Sequence, residues 1–379
     1  MMNNANIGGA ADLERQLAKV LKALLSHVEW LAGWEVRRTN TMGSFANWDL
    51  LACGPMPGGG SASLFVECKL HFQPSQFSSL ANRACPNGHS KYSRRVLGLP
   101  YVSPRMATLC EMNNWSWFDL AGNCRLEIPR SLLIERSGAK PVRINATSSP
   151  NLGSSEAASV VRALLAPENA GRRWTQREIV DHFNKAKPLV AAPSLALVNK
   201  VIQNLRAQAF LETLPTRGFR VRDYEGLLQF WRQKYRFDRS SRRRYFTLLP
   251  SQILYDRLRT LGTIASGDLA YSAFSAADWQ APHVRQPRTW LYVAADMEEK
   301  LKETIEAKEV DSGENLVVLI PKDSGVFYGM ELSEKRLACT NPVQTYIDLT
   351  NSGGRGEEAA EAILERRLKP AWAGTASEL

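Results

Sequence analysis

No CxxC pair and no regular cysteine framework occur among the six cysteines, Cys53, Cys68, Cys85, Cys110, Cys124 and Cys339. This argues against a disulfide-stapled secreted domain and for reduced thiols in a cytoplasmic protein. It also weakens the case for structural zinc. Cys85 and His89 in "CPNGH" would need two more ligands, and only Cys68 and His71 lie near, at spacings looser than such sites use. No apolar run is long enough to span a bilayer. The opening "MMNNANIGGA" has no basic segment leading into an apolar one, so no signal peptide is expected. Internal repeats and long low-complexity tracts are missing too. Acidic residues are the minority charge, 38 Asp and Glu against 48 Lys and Arg, for a formal net charge of +10. That excess suits a polyanionic partner, because neutralising phosphates releases counterions. The 379 residues are enough for two or three domains, each with its own core.

Three blocks are present. The first, to about residue 150, opens with Leu13, Leu17, Val20, Leu21, Leu24 and Val28 at helical spacing. The strand-like pieces "WEVRRT", "WDLLAC" and "SLFVECKL" follow, then a helix near "SQFSSLANR", a strand near "GLPYVS", a helix from Pro104 and a strand "WSWFDL". Mixed helices and short strands predict an α/β domain. "INATSSPNLGSSEAAS" reads as a linker ending in a helix cap. The second block, 155–235, alternates helices with one short hairpin. The third, 240–379, mixes helices and strands after the basic run Arg232, Lys234, Arg236, Arg239, Arg242, Arg243 and Arg244.

In "SLFVECKL" the side chains alternate. Phe65, Glu67 and Lys69 share one face, while Leu64, Val66, Cys68 and Leu70 share the other, which is apolar. Asp49 lies just upstream, in "NWDLLA", on a strand expected to pair with this one. Two carboxylates side by side suit a hard divalent ion such as Mg²⁺, held by Asp49, Glu67 and the carbonyl of Cys68. Lys69 would then orient or activate an attacking water, and Glu14 on the first helix would add a ligand. The alternative is a solvated strand face. Two other E-x-K triplets, Glu298/Lys300 and Glu306/Lys308, lie in a charged helical stretch, where residues two apart do not face each other.

The second block suits DNA. Thr175 and Glu178 form a capping box at the start of "TQREIVDHF". Ser194 caps a second helix, with Leu195, Val198, Ile202 and Leu205 expected inward and Asn199, Lys200, Gln203 and Arg206 outward. A hairpin with a "PTRG" tip follows. Helix, turn, helix, hairpin is the winged-helix order. Asn and Gln can read base edges, and Lys and Arg can hold phosphates or guanine. Arg217 at the tip and Arg220 beside it would reach phosphate or the minor groove. Thr175, preceded by Arg172 and Arg173, would aim helix N–H groups at phosphate. The competing possibility is a winged helix used only for protein contacts.

"WDLLA…LFVECKL", followed by "LPYVSPRMATLC…WFDLAGNCRL", resembles the N-terminal region of the AbiEi-like antitoxin and transcriptional-regulator family. That region is similar to the restriction-endonuclease fold of the PD-(D/E)xK class. Asp49, Glu67 and Lys69 match that class's catalytic positions, with Trp48 replacing the usual Pro. "DLAGN", "SGDLAYSAFSA", "QPRTWLYV", "VDSGENLVVLIPKDSGVFY" and "NPVQTYIDLTNSGGRGEEAAEAIL" extend the resemblance over nearly the whole chain. It implies a type IV antitoxin linked to abortive phage infection. Such a protein represses its own operon through double-stranded DNA and counters a nucleotidyltransferase-type toxin.

The expectation is therefore a cytoplasmic α/β multidomain protein, arranged as a homodimer. It would carry a restriction-endonuclease-like N-terminal domain, a winged helix-turn-helix middle domain and an α/β C-terminal domain. The rival expectation is a Mg²⁺-dependent DNA endonuclease, with Asp49, Glu67, Lys69 and Glu14 as its site and the winged helix selecting its substrate. In the third block, His283 near Asp278, Arg285 and Arg288 reads as structural, and "NSGGRGEE" as a turn before a helix.

Overall fold

The computed structural model describes residues 9–39, 47–85, 92–128, 130–139, 152–185, 192–235, 242–265, 267–322, 324–333 and 338–374. The expected linker falls largely on 140–151, outside these, as do His89, Arg236 and Arg239. The chain is mixed α/β and divides into two compact units, residues 1–149 and 150–379.

The first unit begins with α1 (Ala10–Leu25). Its leucines at 13, 17, 21, 24 and 25 are buried, each worth about 2 kcal/mol on leaving water. β1 (Glu35–Arg38), β2 (Leu50–Pro55) and β3 (Ser61–Cys68) form an antiparallel meander, with Arg38 opposite Leu50 and Leu50 opposite Val66. The chain then crosses over through the one-turn α2 (Ser78–Ala81) to β4 (Arg94–Leu99), which runs parallel to β3. α3 (Pro104–Met112) leads to β5 (Trp115–Asp119), parallel to β4, and then to antiparallel β6 (Cys124–Ile128) and β7 (Leu132–Arg136). The seven strands lie in chain order.

Both faces of this sheet are covered. Leu64 and Val66 pack with the α1 leucines. Leu51, Phe65 and Leu97 pack on the other side with Trp48, Phe77, Met106 and Trp115. Gly98 lets α1 approach closely, since a Cβ there would sit 3.1 Å from Leu17 Cδ1. The "DLAGN" turn closes on the buried Asp119. Its carboxylate accepts from Val102 N at 3.1 Å, Asn123 N at 3.0 Å and Asn123 Nδ2 at 2.9 Å.

The second unit starts with α4 (Ser155–Leu165), α5 (Gln176–Lys185) and α6 (Leu195–Ala207). The hairpin β8 (Leu211–Thr213) and β9 (Phe219–Val221) follows, then α7 (Tyr224–Lys234). Trp174 bridges antiparallel to Phe219, each N–H donating to the other's carbonyl at 2.8 Å, and so adds a third short segment to the hairpin. Gly218 makes this possible: a Cβ there would lie 2.6 Å from Trp174 O.

The remainder runs β10 (Arg242–Phe246), α8 (Ser251–Ala265), β11 (Leu269–Tyr271), α9 (Ala273–Gln280), β12 (Thr289–Val293) and α10 (Glu298–Thr304). Then come β13 (Lys308–Glu309), β14 (Leu316–Leu319), β15 (Glu331–Leu332), β16 (Ala338–Cys339), α11 (Pro342–Thr350) and α12 (Gly356–Ile363). A π-helical turn joins α12 to α13 (Lys369–Ala373). The sheet order is β13-β10-β14-β12-β11-β16-β15. Leu254, Leu258 and Leu301 cover one face with Leu291 and Val318.

The other sheet face shares a single core with α4 to α7, in which Val160, Leu164, Ile179, Val198 and Trp231 join Trp290, Tyr292, Val343 and Ile347. α4 sits at its centre, buried at every position from Ala157 to Leu165. That burial includes Arg162, whose Nε donates to Gln344 Oε1 at 2.7 Å. Gln344 Nε2 and the Tyr292 hydroxyl both donate to Asp348 Oδ1, at 2.7 and 2.8 Å.

Candidate functional site

The carboxylates come together at the C-terminal end of β3. Strand alternation sends Phe65 and Glu67 to one face, as the sequence predicts. The solvated-face alternative does not hold, because Glu67 is 4% exposed. The helices that cover both sides of the sheet leave no wet face at this position. Lys69 follows directly after β3, and its Nζ lies 2.6 Å from Glu67 Oε1. Arg83, from the segment after α2, donates to Glu67 Oε2. Glu14 on α1 accepts from Arg38 at its Oε2, from NH2 at 2.6 Å and Nε at 3.0 Å. Asp49 precedes β2, and its Oδ2 accepts from Cys68 N at 2.7 Å.

Burial pushes the Asp49 carboxyl up, the Cys68 N–H opposes this, and the nearby charges of Glu67 and Glu14 push it further up. Burial also raises the Cys68 thiol well above its ordinary range, again helped by Asp49, Glu14 and Glu67. So the three acids predicted from sequence do share one neighbourhood. Among the described residues, however, no three His, Cys, Asp or Glu side chains are placed to hold a metal ion. Asp49 is turned to a backbone N–H and the two glutamates to cations of the chain itself. This arrangement does not fit the Mg²⁺ site drawn from the sequence. Arg38 and Arg83 are the site residues the sequence reading missed; neither belongs to a motif, and both act across the fold.

The DNA-facing candidates lie on α5, α6 and the β8–β9 hairpin. The capping box forms: Glu178 N donates to Thr175 Oγ1 at 3.2 Å and Thr175 N to Glu178 Oε2 at 2.6 Å. These bonds hold the Glu178 carboxyl below its usual range. The same box occupies the Thr175 N–H with a carboxylate, so Thr175 does not offer that group to a phosphate. Ser194 Oγ accepts from Leu197 N at 3.3 Å and caps α6.

Along α6, Lys200 and Gln203 are exposed. Asn199 and Arg206 are not outward in the way their spacing suggests. Asn199 Oδ1 accepts from Gln176 Nε2 at 3.0 Å, and the Arg206 guanidinium lies 5.2 Å from the Phe219 ring centroid. Each is drawn in by a neighbour across the bundle. Leu195, expected inward, is 45% exposed, while Leu197 and Val198 of the same turn pack on the core. Arg172 stacks 3.8 Å from the Trp174 ring centroid and donates to Asn169 Oδ1 at 3.2 Å. Arg173 is exposed and donates to Thr216 Oγ1 at 3.2 Å, beside the hairpin tip. Arg220 pairs with Glu212 at 2.9 Å. Arg217 is exposed at the tip with φ 100°, a strained conformation for a residue other than glycine.

The described part of the basic run lies at the end of α7 and on β10; Lys234, Arg243 and Arg244 are exposed, and several of its members contact the fold. Arg232 pairs with Glu357, Arg242 stacks 4.8 Å from the Trp290 ring centroid, and Arg244 NH1 donates to Asp311 O at 2.9 Å. His283 Nε2 lies 3.2 Å from Glu358 Oε1, and Arg355 pairs with the same carboxylate, so groups of the chain itself occupy the start of α12. Among the described residues no helix is long and apolar enough to cross a membrane.

Residues 220–369 match the family model described as transcriptional regulator, AbiEi antitoxin, type IV toxin–antitoxin system. The matched segment begins within β9 and takes in α7, the second sheet and the helices up to the start of α13. It leaves out the first unit and α4 to α6. No match was found among curated proteins or among solved structures.

Proposed function

We propose that this chain is a DNA-binding transcriptional regulator and antitoxin of a type IV toxin–antitoxin system that represses its own operon. The family match supports the regulator role, though it stops short of the helices assigned here to DNA. In this reading α4, α5, α6 and the β8–β9 hairpin are a winged helix, with α6 entering the major groove and Pro215–Gly218 as the wing tip. The observation that carries it is Arg217. A strained, solvent-exposed cation at the tip of a hairpin has no packing reason to be there, whereas phosphate gives it one. Lys200 and Gln203, three residues apart on α6, lie on the same side of that helix and supply one phosphate or guanine donor and one amide for base edges. The reading includes a homodimer on a palindromic operator. The cognate toxin would be a nucleotidyltransferase.

The test is retention of a fragment carrying the protein's own promoter against a shuffled fragment of equal length. Expected is a preference of at least about a thousandfold. Equal binding to both fragments would remove autorepression.

A second reading, a PD-(D/E)xK-type nuclease, is favoured by the order α1, β1, β2, β3, β4 with Glu14, Asp49, Glu67 and Lys69 gathered at one strand end. The ion pairs of both glutamates speak against it. Incubation of plasmid, linear and single-stranded DNA with Mg²⁺ or Mn²⁺ is expected to yield no product. Cutting that disappears in Glu67→Ala would instead make the protein an enzyme.

A further inference from the structure

We propose that Arg38 and Arg83 stand in the first unit where a divalent cation would otherwise be held, so that its carboxylate cluster is neutralised by the chain and takes no metal. The inference is independent of the DNA-reading face and bears on the nuclease reading.

Charge balance comes first. Glu14, Asp49 and Glu67 are three carboxyl groups, and Asp49 Oδ2 accepts at 2.7 Å from the N–H of Cys68, the residue next to Glu67. Arg38, Lys69 and Arg83 carry three positive charges, and each contacts one of the glutamates. Carboxylates gathered in a buried site need a cation between them. Here both oxygens of Glu67 and one of Glu14 already have cationic donors. A dication entering this cluster would be repelled by the same guanidinium groups.

Neither arginine is a loose surface side chain. Arg38 is the last residue of β1, paired opposite Leu50, and Thr39 N donates to Asp49 O at 3.1 Å, so the ladder fixes Arg38 beside the acids. Arg83 lies 4.4 Å from the centroid of the Trp48 ring, which is buried against Phe65 and Trp115. Trp48 stands where the PD-(D/E)xK pattern has a proline. A proline there would offer no aromatic face for a guanidinium. The Trp48 indole thus supports the same guanidinium that pairs with Glu67.

The experiment is titration of the full chain with Mn²⁺, following the free-ion signal by electron paramagnetic resonance. Wild type is expected to bind no stoichiometric Mn²⁺. The double variant Arg38→Gln/Arg83→Gln is expected to gain one site per chain, at least tenfold tighter than any binding by wild type, and to lose it when Asp49→Asn is added. Circular dichroism and thermal melting establish that each variant is folded. Should the double variant not fold, Arg83→Gln alone is expected to gain the site, since its side chain is partly exposed. One Mn²⁺ bound by wild type and abolished by Asp49→Asn would overturn the proposal. So would a folded arginine variant that gains nothing. Operator binding through α6 is not read by this titration, so either result leaves that reading standing.

Discussion

Lys200→Ala is expected to weaken operator binding about tenfold at physiological salt and to lower the slope of log affinity against log salt by about one. Lys200 is exposed in the middle of α6, the helix proposed to enter the major groove. Loss of one phosphate contact releases one counterion fewer. Arg217→Gly should change the slope by a similar amount but act on stability in the opposite direction. Glycine tolerates a φ of 100°, so the wing relaxes and stability holds or rises by up to about 1 kcal/mol. A residue that served only the fold would not give lower affinity together with undiminished stability. Asn199→Ala, Arg206→Ala and Arg220→Ala should have smaller effects on the slope, because Gln176, Phe219 and Glu212 already hold those side chains. Fluorescence anisotropy between about 50 and 200 mM salt reads all five variants. An unchanged slope in both Lys200→Ala and Arg217→Gly would abolish the proposed face.

Arg162→Ala should destabilise the second unit by about 3–5 kcal/mol, the usual range for breaking a buried charged network by removing one partner. Arg162 comes from α4, and Gln344 and Asp348 come from α11. Tyr292 comes from the middle of the sheet. The network thus ties the helices assigned to DNA to the segment matched by the family model. A melting temperature lowered by about 10 °C would be consistent with that range for a unit of this size. A melt within 2 °C or so of wild type would show that the network contributes little.

The same network predicts a pH dependence. Burial pushes the Asp348 carboxyl up to about 7, against the pull of its two hydrogen bonds and Arg162. The unfolded value is about 3.9. A raised carboxyl pKa means that the folded state binds the proton more tightly. Its stabilising contribution is full below about pH 4 and is lost as the pH rises through about 7, an amount on the order of 2–4 kcal/mol. Asp348→Asn keeps an acceptor for Tyr292 and Gln344 and cannot ionise. Urea midpoints at about pH 5 and pH 8 should therefore fall more in wild type than in the variant. Parallel profiles would rule out titration of Asp348 in this range.

The sequence by itself determined what depends on near neighbours. The 3.6-residue spacing of Leu13, Leu17 and Leu21 specified α1 and its buried face. Alternation in "SLFVECKL" separated Leu64 and Val66 from Phe65 and Glu67. Thr175 with Glu178, and Ser194 with the amide three residues on, marked two helix starts within one turn of chain. These are local rules, and the structure obeys them. Only the tertiary structure decided which charges would be neutralised and which faces would be dry. Arg38 meets Glu14 across 24 residues, Arg83 meets Glu67 across 16, and Arg162 meets Gln344 across 182. No periodicity encodes such partners. Alternation likewise said which side of β3 carries Glu67 but not that α2, α3 and their neighbours would cover that side. A short run of chain fixes the direction of a side chain. What that side chain meets is set by the elements that happen to pack there, and at Glu67 these add Arg83 to the Lys69 that the chain itself places two residues on, and exclude water.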